Sequence, residues 1–112
     1  MAILLDERAV ASYRLTFGAA LLAAPALLTR KIPSSGEAVP VIGAGTSGSF
    51  EVDAAGRDPL KEVLRRFVAG GATVIDTSPN YSNAEDVLGD LLAELGLRER
   101  IFLATKLAAD NR

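Results

Sequence analysis

Three side chains in this sequence could together carry out proton transfer: Asp76, Tyr81 and Lys106. A tyrosine has an ordinary pKa of about 10, which is too high for efficient proton transfer at neutral pH. A nearby lysine ammonium stabilises the phenolate and so lowers the pKa of a tyrosine. A carboxylate beside the lysine keeps the lysine charged and oriented. An acid, a phenol and an ammonium that meet at one place could therefore protonate a carbonyl oxygen.

Taken singly, each of these residues has an ordinary structural explanation, in a turn, on the surface or at the end of a strand. The case for chemistry depends on the elements that position them. Residues 72–75 and 101–105 are short apolar, β-prone runs that predict buried strands. Asp76 and Lys106 directly follow these strands, and Tyr81 lies in the loop after the first. Because the carboxyl ends of parallel strands form the active face of α/β folds, we expect all three on that face.

Two amphipathic helices separate the predicted strands. Asp58 as N-cap and Pro59 as first helical residue predict the start of the first helix. Ser82 and Glu85 have the spacing of a capping box, so a second helix is predicted to begin at Ala84. The apolar residues that recur at helical spacing are Leu60, Val63, Leu64, Phe67 and Val68 in the first helix, and Ala84, Val87, Leu88, Leu91, Leu92 and Leu95 in the second. Gly70-Gly71 and Gly96 are expected to end the two helices.

The strand before the first helix completes the predicted order of elements. Residues 41–46 predict a short buried strand, and two β-prone runs on either side of residues 34–36 predict a hairpin. The predicted fold class is α/β, an N-terminal β-hairpin followed by β-α-β-α-β with parallel strands and right-handed crossovers. Three parallel strands with both helices on one side can neither close a barrel nor cover both sheet faces. We therefore expect the opening part of a larger architecture.

Composition excludes several classes of function. The chain has 112 residues, a net charge of −2 and 49% hydrophobic residues, which is enough for one small domain with a core. The sequence has no cluster of basic residues, so we do not expect nucleic acid as a partner. The absence of cysteine excludes disulfides, thiolate chemistry and cysteine-based zinc sites. With no histidine either, a metal could bind only to oxygen ligands, and no EF-hand-like series of acids is present, so we predict no metal site.

The first thirty residues differ from the rest. Residues 15–28 are almost unbroken apolar sequence, shorter than the about 20 residues that span a membrane. Residues 24–26 resemble a signal-peptidase exit, and residues 12–17 resemble a twin-arginine signal with one arginine missing. Acidic residues offset the basic ones before the apolar run. We expect residues 1–30 to be an apolar leader or N-terminal extension. Residues 1–26 could act as a degenerate Tat/Sec-like export signal, which leaves cytoplasm and periplasm as alternatives.

A glycine-rich run offers a competing interpretation. Residues 43–48 fit G-x-G-x-x-G after a strand, and Asp76 ends the next strand, where a ribose-binding acid of a Rossmann fold would lie. In that fold the helix begins at the glycine loop, so that its N-terminus faces the pyrophosphate. Here the helix signal begins only at Asp58. The other explanation is a tight strand exit whose backbone approaches another group closely.

Together these motifs resemble the N-terminal part of the aldo-keto reductase family. The pattern D-x-x-x-x-Y-x-x-A-E followed by A-T-K is fairly specific, and the resemblance covers roughly residues 31–106. Residues 28–37 resemble bacterial members that carry an export-like leader. The runs that carry the resemblance are Gly45-Thr46, Asp76-Thr77-Ser78-Pro79-Asn80-Tyr81, Ala84-Glu85, Leu88-Gly89 and Phe102-Leu103-Ala104-Thr105-Lys106.

The resemblance implies a (β/α)8 TIM barrel that reduces aldehydes or ketones with NADPH and has no Rossmann domain. Tyr81 would be the general acid, Lys106 would assist it, and Asp76 would pair with Lys106. Gly45 and Thr46, with Asp76, would lie near the nicotinamide ribose. The partner would be a small-molecule carbonyl substrate, and residues 31–112 would form a partial reductase domain.

Three departures from the family pattern shape the expectations for this chain. Ser47-Gly48 stands where a bulky aromatic usually follows Gly-Thr, and Ser82 stands where a glycine commonly follows the tyrosine. The family's catalytic histidine follows the next strand, which this sequence does not contain. Since such a barrel needs about 250 residues, we expect a truncated barrel with negligible activity in isolation. Exposed sheet edges could also lead to self-association.

Three alternatives remain open at this point. The first is a Rossmann-type dinucleotide-binding fragment. The second is a non-catalytic β-α module that a partner chain completes, which the open sheet edges make physically plausible. The third is a β-α unit of an unrelated barrel.

Overall fold

A computed structural model describes residues 26–107. The predicted leader, residues 1–26, therefore lies outside the described residues except for its last position. The elements, in chain order, are β1 (Thr29–Lys31), β2 (Ala38–Pro40), β3 (Gly43–Gly45), a 3-10 helix (Ala54–Gly56), α1 (Arg57–Ala69), β4 (Val74–Asp76), α2 (Ala84–Glu94), a second 3-10 helix (Arg98–Arg100) and β5 (Phe102–Ala104). Within the described range, no helix has the length and apolar character needed to cross a membrane.

The strands form two sheets, as the sequence predicts. β1 and β2 pair antiparallel as a hairpin, and β3, β4 and β5 form a parallel sheet in that order. In the register of the parallel sheet, Gly45 lies beside Asp76 and Asp76 lies beside Ala104. The carboxyl ends of the three strands are therefore level, so the residues that follow them share one edge. The predicted α/β architecture of hairpin plus β-α-β-α-β is confirmed.

The core lies between the two helices and one face of the parallel sheet. Ile75 points into this core and is 1% exposed, whereas Val74 and Asp76, on the opposite face by strand alternation, are only half-buried. The buried apolar residues are Phe50, Leu64, Val68, Ile75, Ala84, Val87, Leu88, Leu91, Leu92 and Ile101. Fully burying a side chain such as leucine stabilises a fold by about 1.5–3 kcal/mol. The apolar stripe of α2 therefore anchors the loop that precedes it.

The start of α1 differs from the prediction. Asp53, rather than Asp58, is the capping acid: its carboxylate accepts hydrogen bonds from two backbone amides of the 3-10 helix at 3.1 Å. That 3-10 helix continues directly into α1 at Arg57. Asp58 lies in the first turn of α1, and its carboxylate contacts Lys61 at 3.1 Å. Sequence reasoning favoured Asp58 because the following proline suits a first helical position, but an acid before a 3-10 helix serves equally well.

The start of α2 is at Ala84 as predicted, but the capping box is not formed. Asn83 is the N-cap residue and makes no side-chain cap hydrogen bond. Ser82 adopts φ = 45°, the left-handed region, so the chain turns sharply there. The carboxylate of Glu85 accepts instead from the hydroxyl of Thr105 at 2.5 Å. Ser82 thus forms a turn, and Glu85 binds Thr105 beyond β5, so neither residue caps α2.

Some residues expected in the core are exposed. Val63, assigned to the buried stripe of α1, is 53% exposed. The strand predicted at residues 41–46 forms as β3 at Gly43–Gly45, but its expected burial is wrong at the start, since Val41 and Ile42 are 48% and 63% exposed. β3 is an edge strand of the described sheet, so its residues have a neighbouring strand on one side only. Open strand edges favour self-association, which stays a prediction for this chain.

Two further contacts connect the described elements. β1 begins at Thr29, and Val41 donates a backbone hydrogen bond to the carbonyl of Leu28 at 2.9 Å, so the hairpin has residues on both sides of position 30. The division into residues 1–30 and 31–112 stays a prediction. Lys61 of α1 connects the two helices through an ion pair with Glu94 of α2 at 2.7 Å.

Candidate active site

Asp76 and Lys106 form an ion pair at the carboxyl edge of the parallel sheet. The ammonium of Lys106 donates to both carboxylate oxygens of Asp76, at 2.7 Å to Oδ1 and 2.6 Å to Oδ2. Both side chains are about half exposed, at 46% for Lys106 and 50% for Asp76. Asp76 ends β4, and Lys106 lies just beyond the end of the adjacent strand β5. The parallel register brings the two side chains together, as the sequence predicts.

A backbone carbonyl gives Lys106 a third acceptor that the sequence did not reveal. Lys106 Nζ donates to the carbonyl oxygen of Thr77 at 2.9 Å. The amide of Thr77 in turn donates to the carbonyl of Ala104 at 2.8 Å, which extends the pairing of β4 and β5 beyond the strands. An ammonium has three donors, and here all three directions have an acceptor on Asp76 or Thr77. The position of the Lys106 charge is therefore well defined.

Tyr81 approaches the same ammonium from the loop between β4 and α2. Lys106 Nζ lies 5.5 Å from the centroid of the Tyr81 ring, within the distance of a cation–π interaction. Tyr81 is half-buried, and its ring packs against the apolar core. Its amide donates to the carbonyl of Ser78 at 3.0 Å, and its carbonyl accepts from Ala84 at 2.8 Å, so a turn connects it directly to α2. The three predicted side chains thus lie together; their roles stay predictions.

The surroundings of Lys106 favour its charged form. The hydrogen bonds to Asp76 raise the pKa of the Lys106 ammonium above its ordinary 10.5, although partial burial opposes this. The charges of Asp76, Tyr81 and Glu85 act in the same direction as those hydrogen bonds. At neutral pH the site therefore holds a positive charge beside the phenol ring.

Thr46 lies in this region but is not open to a ligand through its side chain. Its hydroxyl donates to the hydroxyl of Thr77 at 2.8 Å, and the two residues are 0% and 1% exposed. The amide of Thr46 donates to the carbonyl of Asp76 at 3.1 Å. Thr46 therefore connects β3 to the segment that holds Lys106, and its hydroxyl is buried against Thr77.

Gly45 offers a different kind of surface. It is exposed at the carboxyl end of β3, beside Asp76, and a Cβ atom there would meet no other atom within 4 Å. This open backbone admits the close approach of a flat group, and the half-exposed carboxylate of Asp76 can accept a hydrogen bond beside it. Of the three residues expected near a nicotinamide ribose, Gly45 is exposed and Asp76 is half-exposed at this edge, whereas the side chain of Thr46 is buried. Their role in binding a cofactor stays a prediction.

The glycine-rich run does not form a dinucleotide-binding turn. Gly48 adopts φ = 73°, and its amide donates to the carboxylate of Glu51 at 2.9 Å. The next α-helix begins only at Arg57, after the 3-10 helix. Among residues 26–107, no helix N-terminus therefore follows directly on the exit of β3, which contradicts the Rossmann alternative.

One contact at the site was missed because its residues suggested another role. The hydrogen bond between Thr105 and Glu85 joins the residue before Lys106 to the first turn of α2. In the sequence, Glu85 resembles a capping-box acid, and Thr105 resembles the last residue of a strand. Their sequence separation gives no local signal for the contact. Among the described residues, no group of three or more acidic side chains is placed to hold a metal ion.

The sequence of this chain is similar to those of known proteins. The aldo/keto reductase family model matches residues 41–112. Aldo-keto reductase YhdN of Bacillus subtilis is 39% identical over 51 residues, which cover 44% of this chain and 15% of that protein. Aldo-keto reductase ausK of Emericella nidulans is 31% identical over 70 residues, which cover 61% of this chain and 18% of that protein. The chain thus spans less than a fifth of the length of these relatives.

The fold is also similar to those of solved aldo-keto reductase structures. An aldo-keto reductase from Klebsiella pneumoniae in complex with NADPH matches with a TM-score of 0.58 and 36% identity, over 72% of this chain and 28% of that one. The aldo-keto reductase PA4992 from Pseudomonas aeruginosa matches with a TM-score of 0.63 and 28% identity, over 80% of this chain and 36% of that one. The described elements correspond to part of the TIM barrel of these proteins. This chain belongs to the aldo/keto reductase family.

Proposed function

We propose that this chain carries the proton-donating part of an NADPH-dependent reductase site for aldehydes or ketones. The observation that carries the proposal is the position of Lys106, whose ammonium is held by Asp76 and Thr77 and lies against the ring of Tyr81. Because the chain spans only part of its relatives, the activity is proposed for the complete barrel. We expect negligible turnover from the isolated chain.

In this proposal Tyr81 is the general acid. Its hydroxyl donates a proton to the carbonyl oxygen of the substrate as negative charge develops there. Lys106 stabilises the phenolate that remains, since its positive charge is already fixed beside the ring and needs no reorganisation during the reaction. Asp76 holds that ammonium with two hydrogen bonds and keeps it charged, as the raised pKa of Lys106 reflects.

The cofactor would lie against the carboxyl edge of the sheet at Gly45 and Asp76. When bound, NADPH supplies the hydride that reduces the carbonyl carbon. Gly45 would admit the nicotinamide ribose because no side chain occupies the space above its backbone. Asp76 would accept a hydrogen bond from a ribose hydroxyl. The buried hydrogen bond from Thr46 to Thr77 would hold the end of β3 beside the end of β4. The proposal is supported by the NADPH complex of the Klebsiella pneumoniae relative.

The proposal can be tested in a complete barrel. We define the barrel chimera as residues 29–112 of this chain followed by the remainder of the Klebsiella pneumoniae relative. NADPH oxidation is measured with 4-nitrobenzaldehyde as a broad substrate. Lys106→Met keeps the length of the side chain but removes its charge, and we expect kcat to fall by about 100-fold, the lower range for loss of acid–base catalysis.

Lys31 provides a matched control, because it is an exposed lysine in the hairpin strand β1, which is not part of the parallel sheet. Lys31→Met should leave kcat within twofold of the unsubstituted chimera. Equal rates for Lys106→Met and the unsubstituted chimera would show that the charge of Lys106 has no part in the reaction.

A further inference from the structure

We propose that Glu85 and Thr105 form a clamp that positions Lys106 against Asp76 and Tyr81. The inference rests on the proposed function, since it assigns two positioning residues to the same site. Neither residue is proposed to contact the substrate or the cofactor. Both act through Lys106.

The clamp connects two elements that differ in how firmly they are held. Thr105 Oγ1 donates to Glu85 Oε1 at 2.5 Å. Glu85 lies in the first turn of α2, whose apolar face is buried at Ala84, Val87 and Leu88. Thr105, by contrast, is exposed and follows the last residue of β5. The hydrogen bond therefore anchors an exposed segment to a firmly packed helix.

Lys106 needs such an anchor because it lies past the end of its strand. The pairing of β4 and β5 ends with the hydrogen bond from the amide of Thr77 to the carbonyl of Ala104. Beyond that point, side chains connect the chain to the rest of the site: Thr105 to Glu85, and Lys106 to Asp76. A flexible lysine side chain loses much rotamer freedom when it is fixed. A fixed Thr105 reduces that cost, because the backbone of Lys106 is then already in place.

The clamp also couples Lys106 to Tyr81. The first turn of α2 is bonded to the Tyr81 turn, since Ala84 donates to the carbonyl of Tyr81 at 2.8 Å. Glu85 is the next residue of that turn and holds Thr105. The phenol and the ammonium are therefore positioned by the same end of α2. The negative charge of Glu85 further favours the charged form of Lys106, along with the facing groups of Asp76 and Tyr81.

The clamp is tested first in the full 112-residue chain, with a readout that needs no activity. A limiting amount of acetic anhydride labels the lysines in competition, and mass spectrometry of peptides gives the reactivity of Lys106 relative to Lys31. Thr105→Val keeps the shape of the side chain but removes the hydroxyl donor. We expect it to increase the relative reactivity of Lys106 by about twofold to tenfold, the range that corresponds to loss of one hydrogen bond. Glu85→Ala should have the same effect.

Two control variants separate the clamp from a general loss of structure. Thr105→Ser retains the donor and should restore the reactivity of the unsubstituted chain. Asp86→Ala removes the neighbouring exposed acid in the first turn of α2 and should leave Lys106 unchanged. The proposal is overturned if Thr105→Val leaves the reactivity of Lys106 unchanged. It is equally overturned if Thr105→Val raises the reactivity of Lys31 and Lys61 in absolute terms as much as that of Lys106, because that would show unfolding.

The consequence for catalysis is measured separately in the barrel chimera. Thr105→Val should lower kcat by about threefold to tenfold, since misplacement of a catalytic group reduces the rate while binding is retained. The KM for NADPH should stay within twofold, and Thr105→Ser should restore kcat. An unchanged kcat in Thr105→Val would contradict the positioning role. If Tyr81→Phe left the chimera fully active, the proposed function would fail, whereas the acetylation result for the clamp would stand.

Discussion

The buried hydroxyl pair of Thr46 and Thr77 gives a quantitative prediction about stability. Thr46 donates to Thr77 at 2.8 Å, and both residues are essentially inaccessible to water. Thr46→Val removes one hydroxyl and leaves the other buried without this partner. An unpaired buried polar group costs about 1–3 kcal/mol, so we expect Thr46→Val and Thr77→Val each to lower the free energy of unfolding by that amount.

The double variant distinguishes this mechanism from a simple loss of packing. Thr46→Val with Thr77→Val replaces both partners with apolar groups of the same shape, which is nearly neutral when the site is already dry. We expect the double variant to lie within about 1 kcal/mol of the unsubstituted chain, so the two effects should be strongly non-additive. The non-additivity would show that the two hydroxyls interact mainly with each other.

The assay is urea unfolding of the chain followed by circular dichroism, with the slope of each transition compared to exclude changes in the unfolded state. Thr29→Val, at an exposed position of β1, is the matched control and should change the stability by less than about 0.5 kcal/mol. Additive effects of the two core substitutions would refute the reasoning. Single effects as small as that of the control would also refute it.

Three further predictions concern stability, two measured by the same urea unfolding and the third by thermal unfolding. Leu91→Ala should lower the free energy of unfolding by about 2–5 kcal/mol, because Leu91 is 1% exposed in the core. Val63→Ala, at a 53% exposed position, should lower it by less than about 0.5 kcal/mol. Similar costs for the two substitutions would place Val63 in the core. Ser82→Gly should stabilise by about 0.5–1 kcal/mol because φ = 45° suits glycine, and a loss of stability would show that the serine side chain is needed at this turn. The hydrogen bond from Arg66 lowers the pKa of Glu62 below its ordinary 4.5, so its stabilising effect exists above that value and disappears as the pH falls through the lowered pKa. Glu62→Gln should therefore lower the Tm at pH 7 but not at pH 2, and an equal decrease at both pH values would contradict the ion-pair explanation.

Much of the site could be predicted because strand register is a strong constraint. Once residues 72–75 and 101–105 are assigned as neighbouring parallel strands, the residues that follow them must share one edge. Asp76 and Lys106 therefore meet even though they are distant in sequence. Tyr81 comes with them because its loop begins at the end of β4. Apolar periodicity similarly identified the buried face of α2, where five of the six predicted positions are buried.

The details that the sequence could not provide are those in which one side chain has several possible partners. Glu85 could complete a capping box or reach across to Thr105, and the left-handed turn at Ser82 decides for the second. Asp58 was the predicted capping acid, but Asp53 caps the 3-10 helix that continues into α1. Thr46 matched a cofactor-binding position by resemblance, but its hydroxyl is buried against Thr77. In each case the outcome depends on contacts that are formed only in the folded chain.

The measurement that tests the central claim most directly is the rate of NADPH oxidation by the barrel chimera with Tyr81→Phe. This substitution removes the phenolic oxygen and keeps the ring that packs against the core and lies near Lys106. If Tyr81 is the general acid, kcat should fall by at least about 100-fold, while the affinity for NADPH, followed by fluorescence quenching, should change by less than twofold. A Tyr81→Phe chimera that binds NADPH normally and reduces the aldehyde within twofold of the original rate would contradict the assignment of the proton donor.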